Sequence, residues 1–90
     1  MRRVVWTPEA AENLESIVAY IEAFNSVAAR RMGERLVALA GSLGQFSERG
    51  RLADDGTREM TIVPPYVLRY AVTEDSVLIL HIRHGARNLD

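Results

Sequence analysis

The sequence predicts an α+β domain in which two helices form a hairpin on a small antiparallel sheet, in the order β-α-α-β-β-β. Apolar residues recur at intervals of three and four through most of the first half of the chain, which is typical of amphipathic helices. The second half holds three runs rich in β-branched and aromatic residues, separated by Gly, Pro and acidic residues. A length of 90 residues fits a single domain, 1–90, with one core.

The first strand and the first helix are predicted from the opening residues. Residues 2–6, RRVVW, have the β-branched and aromatic character of a short strand. Thr7-Pro8-Glu9 then supplies the N-cap, the first-turn proline and the first-turn acid that begin a helix. This helix is expected to extend to Phe24, and its apolar face is formed by Ala10, Leu14, Ile17, Ile21 and Phe24.

A second helix is predicted to begin at Asn25-Ser26, which offers another N-cap. Its apolar face is formed by Met32, Leu36, Leu39, Leu43 and Phe46, and Gly44 is expected to be its C-terminal cap. The short connection makes the two helices antiparallel neighbours. Since glycine costs about 1 kcal/mol inside a helix, Gly33 and Gly41 are attributed to close helix packing.

Three strands are predicted after a polar loop at residues 47–57. They span residues 58–63, 66–72 and 77–84, with Pro64-Pro65 as the first break. The last two strands are separated by TEDS, four turn-like residues, and are expected to form an antiparallel hairpin.

Composition excludes several classes of protein. The chain has no cysteine, which excludes disulfides and Cys-ligated zinc, and no apolar run approaches the ~20 residues of a membrane span. No signal peptide is expected, because Trp6, Pro8 and Glu9 follow the two opening arginines, so the expected location is the cytoplasm. The net charge of −1 and the isoelectric point of about 6.1 are not those of a protein that binds nucleic acid mainly by neutralising phosphates.

The closing stretch HIRHGAR, residues 81–87, holds both histidines of the chain. Side chains alternate along a strand, so those of residues 77–84 are expected on two faces. One face has Leu78, Leu80, Ile82 and His84, and the other has Val77, Ile79, His81 and Arg83. The histidines then point apart and no third ligand is near in sequence, so no metal or other cofactor is expected. Two roles stay open for His84: a half-buried histidine bonded to a carbonyl, and a general acid or base.

Several cations are predicted on or just after the strands, although the whole chain is slightly acidic. They are Arg58, Arg69, Arg83 and Arg87. Arginine suits planar, bidentate recognition of anions. The sheet is therefore a candidate binding surface, and the alternative is arginines scattered in solvent.

Five stretches together resemble the RelE/ParE superfamily of bacterial type II toxins. They are WTPEAAENLESIVAYI, AARRMGERL, GTRE, PYVLRYAV and VLILHIRHGAR, and they cover nearly the whole chain in the order typical of that superfamily. The resemblance implies a helical hairpin on a small curved antiparallel sheet. It also implies a bacterial, cytoplasmic toxin without a cofactor, which forms a hetero-oligomer with a cognate antitoxin of the ParD or RelB kind.

The superfamily has two branches with different targets. Proteins similar to RelE cleave mRNA on the ribosome, which requires a base, cations for the phosphate and an acid. Proteins similar to ParE poison DNA gyrase without chemistry of their own. The residues fit the nuclease branch poorly: Val67 follows Tyr66 where that branch has arginine, Met60 stands where it has a second basic residue, and the chain stops at Asp90, before its C-terminal tyrosine.

The resemblance therefore favours a ParE-like gyrase poison. Its expected target contacts are Arg58, Arg69, Arg83, His84 and Arg87. The alternative is a ribosome-dependent nuclease, for which His84, Arg58 and Arg87 would be the catalytic residues. A further alternative is an inactive interaction module with the toxin fold. Trp6, Tyr20 and Phe24 are expected to bind the antitoxin if they are exposed, and otherwise belong to the core.

Overall fold

A computed structural model of the chain describes residues 1–85. Two helices precede four of the five strands, so the predicted α+β class is confirmed. The helices are α1, Pro8–Glu22, and α2, Ser26–Ser42. The strands are β1, Arg3–Trp6; β2, Arg51–Leu52; β3, Arg58–Thr61; β4, Tyr66–Val72; and β5, Ser76–His84. Neither helix in this part of the chain is long and apolar enough to cross a membrane.

Both helices begin at the predicted caps. The Thr7 hydroxyl accepts a hydrogen bond from the backbone N–H of Ala10 at 3.2 Å, with Pro8 in the first turn. The Asn25 side-chain oxygen accepts one from the N–H of Ala28 at 3.0 Å. Each cap satisfies a backbone donor that the helix itself leaves unpaired, which is worth about 1 kcal/mol.

The end of α2 packs against β1. Gly44 follows the C-cap residue Leu43, but it lacks the left-handed conformation expected of a glycine cap. Its carbonyl accepts a hydrogen bond from the N–H of Arg2 at 2.8 Å. A Cβ atom at Gly44 would lie 2.6 Å from the carbonyl oxygen of Arg2. The position therefore needs glycine because of the close approach of β1.

The sheet has the strand order β1-β5-β4-β3-β2. The predicted β4–β5 hairpin is present, and β3 pairs antiparallel with β4. Two features differ from the sequence prediction: β1 pairs parallel with β5, so the sheet is mixed, and β2 forms inside the predicted loop. Strand direction depends on how the helical hairpin returns the chain to the sheet, and local patterns do not carry that information.

The core lies between the helical hairpin and one face of the sheet. Its fully buried large side chains are Leu36, Leu43, Leu68, Tyr70, Val77 and Ile79. The close packing predicted for Gly33 is present, since a Cβ there would lie 3.3 Å from Cγ2 of Val18. Close packing does not explain Gly41, where a Cβ would meet nothing within 4 Å.

A register shift in the β4–β5 hairpin changes which side chains of β5 share a face. Arg69 lies opposite His81, but the next residue, Tyr70, lies opposite Ile79, so Leu80 is an extra residue on β5. The predicted strict alternation over residues 77–84 is therefore wrong, because a bulge reverses the phase. Val77 and Ile79 face the helices with Ile82 and His84, while Leu78 shares the other face with His81 and Arg83.

Candidate functional site

The sheet face opposite the helices, called here the open face, carries both charged and polar side chains of the strands. Within residues 1–85, the helices pack on the other face of the sheet, where the core lies. The strand register places on the open face Glu59, Thr61, Val67, Arg69, Ala71, Leu78, His81 and Arg83. Two of the four predicted cationic residues, Arg69 and Arg83, therefore lie on the same face.

Three arginines converge on one carboxylate in this face. One Glu59 oxygen, Oε2, accepts hydrogen bonds from Arg69 and Arg83, both at 2.8 Å. The other oxygen, Oε1, accepts one from Arg51 at 2.9 Å. The Glu59 side chain is only 13% exposed, against 24% for Arg69, 30% for Arg83 and 77% for Arg51. Glu59 therefore lies at the centre of the cluster, with the arginines around it.

The cluster keeps Glu59 ionised. The hydrogen bond from Arg69 is the main cause that lowers the pKa of the Glu59 carboxyl below its ordinary 4.5, and it acts against burial. The hydrogen bond from Arg83 lowers the pKa further. At neutral pH the open face therefore carries a fixed negative charge among its guanidinium groups.

The β2–β3 turn supplies a second set of contacts to Arg69. Its Nη1 donates to the Thr57 hydroxyl at 2.9 Å and lies 3.6 Å from Oδ2 of Asp55. Asp55 in turn accepts hydrogen bonds from the N–H and the hydroxyl of Thr57, which lower the pKa of its carboxyl. Arg69 is thus held in one orientation by two different acidic residues and a hydroxyl.

His84 lies on the opposite face of the sheet from Arg83. Its ring contacts the ring of Tyr66 edge to face, with centroids 5.5 Å apart. Both rings line a groove of about 260 Å³ beneath α1, together with Ser16, Ile17, Tyr20 and Ile82. Its Nδ1 is buried and has no hydrogen-bond partner among the described residues, so the carbonyl partner considered from the sequence is not found at this nitrogen.

Arg58 also lies on the helix side of the sheet, opposite Tyr70. Its Nη1 donates to the carbonyl oxygens of Gly50 at 2.8 Å and Glu48 at 3.4 Å. The guanidinium group therefore fastens the segment after α2 to β3. Arg87 lies outside the described residues.

Two of the three aromatic residues predicted to bind a partner are exposed. Tyr20 is 58% exposed and Phe24 is 76% exposed, and their rings meet edge to face with centroids 5.4 Å apart. Val27, at the start of α2, is 47% exposed. Trp6 packs against the core instead. The end of α1 and the start of α2 therefore present an apolar surface.

Comparison with known proteins identifies the family. The family described as the ParE toxin of the type II toxin-antitoxin system, parDE, matches residues 4–89. The chain belongs to the ParE toxin family. The predicted membership of the RelE/ParE superfamily of type II toxins is thereby confirmed.

Two relatives are named as toxins, and a solved structure has the same fold. Toxin RelE2 of Caulobacter vibrioides is 49% identical over 87 residues, which cover 97% of this chain and 99% of that protein. A Sinorhizobium fredii protein provisionally named as toxin Y4kP is 33% identical over 86 residues, covering 93% and 88%. A chain of the chromosomal ParDE toxin-antitoxin system from P. aeruginosa has the same fold, with a TM-score of 0.83, 24% identity and coverage of 93% and 96%.

Glu59 is the site residue of this ParE-family chain that the sequence does not reveal. The sequence predicts a cationic sheet from its arginines, and the GTRE stretch that contains Glu59 gives this residue no role. Only the pairing of Glu59 with Arg69 and Arg51 on its two neighbouring strands shows its role. Within residues 1–85, no group of three or more His, Asp or Glu side chains is placed to hold a metal ion.

Proposed function

We propose that this toxin poisons DNA gyrase in the bacterial cytoplasm, has no chemistry of its own, and is neutralised by a cognate antitoxin of the ParD or RelB kind. The observation that carries the proposal is that Arg51, Arg69 and Arg83 all donate hydrogen bonds to Glu59 on the open face. A face whose guanidinium groups are already held by a carboxylate suits a protein surface of complementary polarity. It suits an RNA phosphate poorly.

The positions of Arg58 and His84, two of the residues that a nuclease site would use, support the same proposal. Arg58 lies opposite Tyr70 and His84 lies opposite Tyr66, so they are two strands apart and displaced along β4. With about 3.3 Å per residue and about 4.8 Å between strands, their Cα atoms are roughly 16 Å apart. A base and a phosphate-binding cation must reach the same phosphodiester group. Arg58 is also engaged by two backbone carbonyls.

The second candidate function is ribosome-dependent mRNA cleavage. The observation in its favour is the 49% identity with a protein named Toxin RelE2. His84, whose buried Nδ1 has no hydrogen-bond partner within residues 1–85, would then be the acid or base, and Arg58 and Arg87 the phosphate contacts. The net charge of −1 of this chain counts against ribosome-dependent cleavage, because binding to ribosomal RNA depends largely on the neutralisation of phosphates by basic residues.

The apolar surface at the helical turn supports the antitoxin part of the proposal. Tyr20, Phe24 and Val27 are all about half exposed or more, and they lie at the end of α1, in the α1–α2 connection and at the start of α2. Apolar side chains of a partner segment that folds on binding are the usual occupants of such a surface. We assign Tyr20 and Phe24 to antitoxin binding, and Trp6 to the core.

The decisive experiment incubates the purified protein with gyrase, supercoiled plasmid and ATP. We expect linear DNA with protein attached, which disappears when the antitoxin is added first. Intact supercoiling activity without linear DNA would contradict the proposal. In that case, cleavage of mRNA on programmed ribosomes, lost in His84→Ala and Arg58→Ala, would establish the second candidate.

The target contacts are tested separately from the antitoxin contacts. The proposed contacts are Arg58, Arg69, Arg83, His84 and Arg87. Arg87→Ala, or removal of residues 85–90, is expected to abolish growth arrest while antitoxin binding through the helices survives. Growth arrest by these variants at the wild-type expression level would show that the closing segment does not contact the target. Unchanged colony counts with the wild-type chain expressed alone would instead indicate the inactive interaction module.

A further inference from the structure

Glu59 accepts hydrogen bonds from the arginines of the open face that could otherwise bind an anion. Each of the three arginines around Glu59 donates one hydrogen bond to its carboxylate, at 2.8 to 2.9 Å. Arginine presents a planar fork of donors that fits a phosphate as well as a carboxylate. Arg69 also has a buried Nε that no described residue pairs with. The same guanidinium groups would therefore be available to phosphates if the carboxylate were absent.

We propose that Glu59 is a target-specificity residue that prevents the open face from binding single-stranded nucleic acid. It does so in two ways: it occupies Arg69 and Arg83, and its own negative charge repels any phosphate that approaches them. Arg69 lies opposite His81 and Arg83 lies opposite Val67, so the two arginines are diagonal neighbours on adjacent strands. Such neighbours are about 7–8 Å apart, close enough for one phosphodiester backbone to contact both.

Burial strengthens this effect. The Glu59 side chain is 13% exposed, so its charge is less screened by water than that of a glutamate on a loop. The hydrogen bond from Arg69 keeps the pKa of its carboxyl low, and the negative charge persists at neutral pH. The inference rests on the proposed function, because it explains how a chain with arginines on its sheet selects a protein target over RNA.

The test is binding of a fluorescein-labelled single-stranded oligouridine, measured by fluorescence anisotropy across a range of salt concentrations. Glu59→Gln keeps the shape of the side chain and removes its charge. If it frees two arginines for phosphates, the log–log salt dependence steepens by about 1.4, at about 0.7 for each single-strand phosphate contact, and affinity at low salt rises roughly tenfold or more. The wild-type protein is expected to bind weakly with a shallow slope.

The matched control is Glu74→Gln, which makes the same change of net charge in the exposed β4–β5 turn. The double variant Glu59→Gln with Arg83→Ala is expected to lose most of the gain. Equal binding by Glu59→Gln, Glu74→Gln and the wild type would overturn the proposal, as would equal gains in both single variants. Circular dichroism checks folding, and Glu59→Thr, which also suits a strand, replaces Glu59→Gln if the latter does not fold.

Failure of this inference is distinguishable from failure of the proposed function. Oligouridine binding compares variants of one surface and needs neither gyrase nor ribosomes. One pair of results is that the wild-type protein causes gyrase to linearise plasmid DNA while Glu59→Gln leaves oligouridine binding unchanged. That pair of results would refute only the role of Glu59. Cleavage of mRNA by the wild-type protein would refute the gyrase proposal, whatever the anisotropy shows.

Discussion

The hydroxyl of Tyr70 donates a hydrogen bond to the carbonyl oxygen of Ser47 at 2.8 Å, joining the centre of β4 to the segment that follows α2. The same hydroxyl accepts a hydrogen bond from the N–H of Gly50 at 2.8 Å. Both bonds are buried. Tyr70 thus pairs the buried carbonyl of Ser47 and the buried N–H of Gly50, and it fixes the path of the segment that leads into β2.

Tyr70→Phe is expected to lower the free energy of unfolding by about 1–3 kcal/mol, because it leaves a buried donor and a buried acceptor without a partner. Urea unfolding followed by circular dichroism measures the change. Tyr66→Phe is the matched control, since no hydrogen bond joins the Tyr66 hydroxyl to another described residue, and it should change stability by less than about 0.5 kcal/mol. Equal losses in the two variants would contradict the role of the Tyr70 hydroxyl.

Two glycines near the end of α2 give a second pair of predictions with opposite signs. Gly44→Ala places a Cβ 2.6 Å from the carbonyl oxygen of Arg2. This oxygen belongs to the backbone directly before β1, so it can move away only if β1 moves with it. We expect a loss of about 1–3 kcal/mol or more. Gly41→Ala meets nothing within 4 Å and lies in the helix, so it should stabilise by up to about 1 kcal/mol. Thermal unfolding of both variants measures these changes in stability. A Gly44→Ala variant as stable as the wild type would contradict the close approach of Gly44 to Arg2.

The helices and the hairpin could be predicted from the sequence because their signals are local. Thr7 and Asn25 mark the helix starts through contacts three residues away. The turn at residues 73–75 lies between two strands that pair with each other directly. The two-residue strand β2 carried no such signal, since its pairing with β3 depends on the turn around Asp55 and Thr57.

The candidate site was predictable only in part, because it depends on register. The sequence places Arg69 and Arg83 on strands, but the bulge at Leu80 decides which face of β5 the later residues share. His84 consequently faces α1 and Arg83 faces outward, although the sequence groups them as one contact surface. Glu59 meets its arginines across strand pairs that no local pattern specifies.

The ion pairs of Glu59 should make stability depend on pH. The folded state lowers the pKa of this carboxyl below its ordinary 4.5, so the stabilisation is complete above that value and is lost as the pH falls through the lowered pKa. At neutral pH we expect Glu59→Gln to be about 1–2 kcal/mol less stable than the wild type. Urea unfolding of both proteins from neutral pH to about pH 3 should show the difference shrinking below about pH 4.5. A difference that does not change with pH would indicate packing, not charge.

Phe24 offers the clearest separation of binding from stability. Its ring is 76% exposed, so Phe24→Ala should change the free energy of unfolding by less than about 0.5 kcal/mol. If the antitoxin covers the ring, the affinity should fall about tenfold or more, as for an aromatic residue central to an interface. Isothermal titration calorimetry with the cognate antitoxin measures this change. Leu52→Ala on β2 is the matched control because Leu52 is 58% exposed and lies on the last strand of the sheet, away from α1. Full affinity in Phe24→Ala, or an equal loss in Leu52→Ala, would place the antitoxin elsewhere on the toxin.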